Sequence, residues 1–251
     1  MQRQALLNYL DELLSVANYR DYCPNGLQVE GKANVTHIVT AVTASQAAIE
    51  QAIALGADTL LVHHGYFWKG EDERVIGIKQ KRLKALLAHE INLIAYHLPL
   101  DSHPIYGNNV QLAKLMGWLI NGPLVATDAS IPGLQGRLPV TMSSRELGNL
   151  IAAKLGRAPL CIGDENQPIT RIAWCTGAAQ SYLQLAVNSG VDAFITGEIN
   201  EPSVHLARET GTVFFSAGHH ATERYGIKAL GEHLAQHQGL KVDFIDIDNP
   251  V

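Results

Sequence analysis

Two histidine-bearing stretches far apart in the chain carry the donor atoms of a candidate metal site. Residues 60–68 read L-L-V-H-H-G-Y-F-W, an apolar run that stops at His63, His64 and a glycine. Residues 214–223 read F-F-S-A-G-H-H-A-T-E, a second apolar run that stops at His219 and His220, with Glu223 close behind. Buried parallel strands have this continuous apolar character, and open α/β sheets place ligands beyond the carboxyl ends of their strands. A third motif, H-L-P-L-D, adds His97 and Asp101. Neighbouring strand residues point to opposite sides, so the simplest arrangement sends His63 and His64 to different ions of a dinuclear pair. His219 and Glu223, four apart at the start of a helix, can face one way. Pro99 is expected to hold H-L-P-L-D in a non-helical loop that turns Asp101 inward.

Three neutral imidazoles (His63, His64, His219) and two carboxylates (Asp101, Glu223) set against two divalent cations leave roughly two positive charges uncompensated. That surplus favours a bridging hydroxide and an anionic or phosphate-bearing ligand. A bridging carboxylate, best assigned to Glu223, holds such ions about 3.5–4 Å apart, the spacing of two-metal hydrolysis. Sulfur-free ligation suits zinc, iron or manganese and does not choose among them. His97 reads as a residue that orients a ligand rather than as a primary ligand. Each motif alone has a plainer reading: H-H-G is more often a turn or a buried, hydrogen-bonded histidine, and G-H-H-A only a helix start. The remaining histidines (His37, His89, His103, His205, His233 and His237) are expected on surfaces. His205 is the one to watch, because it lies one short helix beyond Glu198.

The elements that must position these residues alternate between strand and helix, as in parallel α/β layers. Helices are expected over residues 4–17, 45–55, 79–89, 108–119 and 143–155, the last with a Ser143/Glu146 capping box. Strands are expected at 38–42, 58–62 and 91–96. Residues 121–140 crowd Gly122, Pro123, Pro132, Gly133, Gly136 and Pro139 together and read as a linker. That places one α/β half at 1–125 and another at 126–251, with the last helix and strand as candidates to pack back on the first. The second half reads as a duplicate of the first, the alternative being convergence on a common βαβ pattern. At an offset of 134, residues 38–65 and 172–199 match at Ile38/Ile172, Ala44/Ala178, Gln46/Gln180, Ala52/Ala186, Gly56/Gly190 and Asp58/Asp192. His97 and Asp101 align with His219 and Glu223 at an offset of 122.

Bulk composition narrows the classes. The chain has 251 residues, 47% hydrophobic and 17% charged, with a net charge of −5. This is globular composition, and the negative balance argues against a general nucleic-acid coat. The basic cluster at 69–84 is interleaved with acids and reads as a solvated helix face. Three scattered cysteines with no C-x-x-C pair argue against a disulfide framework or thiolate zinc site and fit a reducing, cytoplasmic setting. The amphipathic start is not a signal peptide, and no apolar run is long enough for a bilayer. No P-loop, G-x-S-x-G elbow, H-E-x-x-H or dinucleotide glycine fingerprint occurs.

The stretches D-Y-C-P-N-G-L-Q-V-E-G, G-A-D-T-L-L-V-H-H-G-Y-F-W, H-L-P-L-D, G-V-D-A-F-I-T-G-E-I and S-A-G-H-H-A-T-E-R, spread over nearly the whole chain, resemble the Nif-three-like dinuclear-metal family, also called GTP cyclohydrolase I type 2 homologues. The resemblance implies metal ligation by His63, His64, Asp101, His219 and Glu223, the same set reached from spacing. It also implies a duplicated α/β fold with the metal site at the interface of the halves, and a ring-shaped homohexamer around an inner cavity. On this reading the function is that of a dinuclear metal-dependent hydrolase, GTP cyclohydrolase-like, with a nucleotide or related phosphorylated compound as substrate. The alternative is a non-enzymatic metal-binding or interaction protein forming a ring assembly. No membrane partner is expected, and single-stranded nucleic acid in the cavity is disfavoured by the net negative charge.

Overall fold

Residues 1–127 and 131–251 are described by the structure, a computed structural model. In the first stretch the elements are α1 (Arg3–Leu13), β1 (Gly26–Val29), β2 (His37–Thr43), α2 (Gln46–Ala54), β3 (Thr59–His64), α3 (Gly77–Ala88), β4 (Asn92–Ala95) and α4 (Leu98–Asp101). There follow α5 (Asn108–Met116), β5 (Leu119–Pro123), β6 (Leu134–Ser143), α6 (Ser144–Leu155), β7 (Leu160–Ile162), β8 (Pro168–Cys175), α7 (Leu183–Asn188), β9 (Ala193–Thr196), α8 (Glu201–Thr210) and β10 (Val213–Ser216). The chain ends with α9 (His219–Gln238) and β11 (Lys241–Phe244).

Two units emerge. One comprises Met1–Tyr106 with Gly226–Asp248, the other Gly107–Tyr225 with Asn249–Val251. The division therefore falls at Tyr106/Gly107 rather than near residue 125, and most of α9 together with β11 belongs to the first unit. The reason is pairing: β11 lies parallel to β2, with Val242 opposite Ile38.

In the first unit the strand order is β1-β4-β3-β2-β11. The four strands from β4 to β11 run parallel, and β1 is antiparallel at the edge. Alternate residues of each strand feed opposite faces, as the two-residue period requires. Leu60 and Val62 join the cluster under α2 and α3, while Leu61 joins the cluster that contains Leu6 and Leu10 of α1 and Leu230 and Leu234 of α9. Each such fully buried aliphatic contributes about 1.5–3 kcal/mol, so the strand that carries the histidines is anchored on both sides.

The second unit has the order β5-β6-β8-β9-β10-β7. Here β8, β9 and β10 are parallel, flanked by antiparallel β6 and β7. The duplication extends to register. Ile38 faces Thr59 in the first unit, and their counterparts at the 134 offset, Ile172 and Ala193, face each other in the second. Capping repeats as well. Asp58 Oδ2 accepts from the backbone N–H groups of Thr36 and His37 at 2.8 and 3.2 Å, and Asp192 Oδ2 accepts from Thr170 and Arg171 at 3.0 and 2.8 Å.

Three expectations need correction. Residues 121–140 do not form a linker: β5 and β6 pair antiparallel within the second sheet. Gly136 marks a close approach instead, since a Cβ there would collide with the Leu119 carbonyl, and Pro123 is tolerated because β5 is an edge strand. Residues 128–130 of that stretch lie outside the described residues. The helix expected over 108–119 stops at Met116, because Gly117 adopts φ 73° and ends it. H-L-P-L-D is not a non-helical loop: Leu98–Asp101 is a short helix in which Pro99 occupies the first turn, where its missing N–H costs nothing. The capping box is present, with Ser143 accepting from the N–H of Glu146 and the Glu146 carboxylate reaching back. Among the described residues, no helix is long and apolar enough to cross a membrane.

Candidate metal centre

Strand β3 ends at His63 and His64, and their rings converge rather than diverge, with centroids 4.4 Å apart. His97, just past β4, brings a third ring to 5.2 Å from His63 and 5.8 Å from His64. All three offer ring nitrogens within 4.8 Å of one another. One turn of α4 then sets Asp101 Oδ1 3.5 Å from His63 Nε2. Both His63 and Asp101 are buried, and an uncompensated charge there would be costly.

Partners on Nδ1 orient each ring. His63 Nδ1 meets the Tyr96 carbonyl at 3.0 Å, His64 Nδ1 meets Thr43 Oγ1 at 3.2 Å, and His97 Nδ1 meets Asp21 Oδ1 at 2.7 Å. Asp21 is itself built in, with Oδ2 accepting from Asn25 Nδ2 and the Leu98 N–H, each at 2.9 Å. Burial works against its charge, but the hydrogen bond and charge of His97, together with the bonds from Asn25 and Leu98, more than offset it and hold the carboxyl down at about 2.

The second unit carries its own cluster at the start of α9. His219 Nε2 lies 3.1 Å from Glu223 Oε2, and His219 Nδ1 meets Glu198 Oε1 at 2.7 Å. Burial disfavours the imidazolium, yet Glu223 and Glu198 outweigh it and lift His219 to about 9. Gly177, at φ 69°, lies against this pair, and a Cβ there would overlap Glu223 Oε1 and come within 3.1 Å of His219 Nε2. The duplicated frame explains the division of labour. At the 134 offset His64 corresponds to Glu198, so one strand-end position supplies a candidate ligand in the first half and a carboxylate that orients a histidine in the second.

The donor chemistry fits divalent cations. In the first unit imidazole nitrogens and a carboxylate converge, and in the second an imidazole and a carboxylate do so, with second partners fixing the rings as metal-binding histidines require. Cys23 also falls within 4.8 Å of Asp21 and His97 donor atoms. Burial, aided by the charge of Asp21, pushes its thiol up to about 12 when no metal is bound.

Several histidines expected on the surface lie inside. His37, His103 and His233 are buried rather than on the surface. His37 pairs with Asp243 at 2.7 Å, and His233 is held between the hydroxyls of Tyr9 and Tyr106. His205 pairs with Glu201 on an exposed helix face. Asp21 and Gly177 carry little signal in the sequence. The only sequence signals for them are the Asp21/Asn25 spacing and the T-G that follows β8.

The Duf34/NIF3 (NGG1p interacting factor 3) family model matches residues 1–250. A Pseudomonas aeruginosa protein named GTP cyclohydrolase 1 type 2 homolog is 52% identical over 245 residues, covering 98% of this chain and 97% of its own. The protein of the same name from Escherichia coli K12 is 51% identical over the full length of both chains. Among solved structures, protein ybgI aligns over all of both chains with a TM-score of 0.95 at 50% identity. TTHA1606 from Thermus thermophilus does so with a TM-score of 0.89 at 33% identity. With the family model matched from end to end and half of all residues shared with its relatives, this chain belongs to the Duf34/NIF3 family.

Proposed function

We propose that this protein is a dinuclear metal-dependent hydrolase acting on a nucleotide or a related phosphorylated compound. The observation that carries the reading is common wiring: His63, His64, His97 and His219 all have Nδ1 engaged by an oxygen partner. Such partners fix the tautomer and present Nε2 as the ligating atom. In this reading His63, His64, Asp101, His219 and Glu223 are the metal ligands, while His97, held by Asp21, positions its neighbours. When bound, divalent ions act as Lewis acids that activate water and neutralise phosphate charge. Two of them in this set leave about two positive charges to attract an anion. The relatives' name makes GTP the first substrate to test. A homohexameric ring in the cytoplasm completes the proposal.

Metal analysis of the purified protein, followed by a nucleotide screen with zinc, iron and manganese in turn, tests it. Turnover is expected only with metal bound and is expected to vanish in His64→Ala. Turnover untouched by that substitution would overturn the reading, and stoichiometric metal with no turnover of any nucleotide would favour the non-enzymatic alternative.

A further inference from the structure

Beside the histidines of the first unit stand aromatic side chains that ligation does not use. Trp68 meets His97 in a T-shaped contact, with centroids 5.0 Å apart and planes at 85°, and lies 6.0 Å from His64. Tyr22 also meets His97 edge-on, at 6.5 Å, and is 61% exposed. Neither ring lies flat on the imidazole. Tyrosine and tryptophan offer large, stiff, amphipathic surfaces, which is why they recur where ligands bind.

Hydrogen bonds fix the backbone of both residues and the indole of Trp68. The Lys69 N–H donates to the Tyr22 carbonyl at 2.7 Å, and the Tyr22 N–H donates to Asp21 Oδ1 at 2.6 Å. Trp68 donates its indole N–H to the Gly65 carbonyl at 3.2 Å and its backbone N–H to Glu71 at 3.0 Å. Phe67, immediately before it, adopts φ 64°. For a bulky aromatic residue that is a strained conformation, of the kind that persists where surrounding structure enforces it. The turn after H-H-G is therefore constrained to set an indole beside the histidines, and the Lys69–Tyr22 bond ties the Tyr22 backbone to the same turn.

We propose that Tyr22 and Trp68 form a stacking subsite for the planar base of a free nucleotide. The phosphate end of that assignment rests on the hydrolase reading above; the base end does not. Every nucleobase has a π-face, so stacking selects the class of ligand and not the particular base. A long strand is a poorer occupant, because the net charge of −5 supplies no general electrostatic attraction for a polyanion.

Tryptophan fluorescence tests the subsite directly. Trp118 and Trp174 are buried in the second unit, which leaves Trp68 as the tryptophan a ligand can reach. Protein in EDTA and protein loaded with zinc are each titrated with GMP, guanosine and ribose 5-phosphate. GMP and guanosine are expected to quench with or without metal, and ribose 5-phosphate not to. Tyr22→Ala should weaken GMP binding about tenfold, within what a base–aromatic stack contributes, while Tyr22→Phe retains it. Trp68→Phe should abolish the quench yet still bind GMP by calorimetry. The proposal is overturned if guanosine fails to quench and Tyr22→Ala leaves GMP affinity unchanged, or if a single-stranded oligonucleotide binds more tightly than GMP. Quenching that persists while no nucleotide turns over sinks the hydrolase reading and leaves the subsite standing. Turnover of a base-free phosphate ester with KM indifferent to Tyr22→Ala does the reverse.

Discussion

Replacing Gly177 with alanine separates backbone strain from crowding at the second-unit cluster. Gly177 has φ 69°, and so does Gly211 very nearly, at 72°. An alanine in this left-handed region costs about 1–2 kcal/mol at either place. For a domain pair of this size that lowers Tm by about 2–8 °C, taking roughly 2–4 °C per kcal/mol. What differs is the surroundings. A Cβ on Gly211 meets nothing within 4 Å, whereas one on Gly177 overlaps Glu223 Oε1. Restoring ordinary contact requires the carboxylate to move by about 1 Å, several times the tolerance of about 0.2 Å for a metal–ligand distance. The displaced atom is the end of a side chain, so stability suffers little beyond the shared backbone cost. Metal affinity suffers more, by about 10–100-fold, the usual effect of disturbing the groups that hold a ligand. Scanning calorimetry should therefore give similar Tm losses for Gly177→Ala and Gly211→Ala, while zinc titration calorimetry should show weakened binding only for Gly177→Ala. Equal zinc affinity in the two variants would refute the argument, as would a Tm loss for Gly177→Ala far beyond that of Gly211→Ala.

Two further outcomes follow from the same clusters and caps. In metal-free protein His219 is raised to about 9 by Glu223 and Glu198, against its burial. Its folded value lies above its unfolded one, so the stabilisation is complete below about pH 6.5 and is lost as pH rises through about 9. Urea denaturation in EDTA should show that decline, and Glu198→Gln should flatten it; stability rising over the same interval would contradict the assignment. Asp58→Ala and Asp192→Ala each strip two backbone N–H groups of their acceptor, and an unsatisfied buried donor costs about 1–3 kcal/mol. Asp58 is buried and Asp192 less so, so calorimetric destabilisation should be larger for Asp58→Ala, and the reverse order would refute the equivalence of cost with burial.

Local pattern made much of this architecture legible and left its cross-connections hidden. Strand β3 could be read because a parallel strand buried on both faces is continuously apolar, and Leu60, Leu61 and Val62 are just that. The repeat could be read because Gly56 and Gly190 both need positive φ and because Asp58 and Asp192 cap the same two backbone positions. Fold constraints of this kind act on a residue wherever its neighbours in sequence place it. The 121–140 stretch misled for a related reason. Glycine and proline mark irregular backbone in a linker and close approach at a sheet edge alike, and composition does not tell the two apart. H-L-P-L-D misleads because proline reads as a helix breaker, although at the first turn it is compatible with a helix.

The orienting groups were hidden for a different reason: no periodicity links Asp21 to His97, which lie 76 residues apart, or Glu198 to His219. What the duplication does give is a rule for finding them. In both halves a histidine just past the third parallel strand keeps its Nδ1 on a carboxylate, Asp21 for His97 and Glu198 for His219, and a carboxylate follows four residues later, Asp101 or Glu223. The accepting carboxylate comes from a loop before β1 in one half and from just past the end of β9 in the other. The ring orientation was therefore preserved through different chain positions. That is the pattern expected if the demand on Nε2, rather than the local sequence, is what both halves have in common.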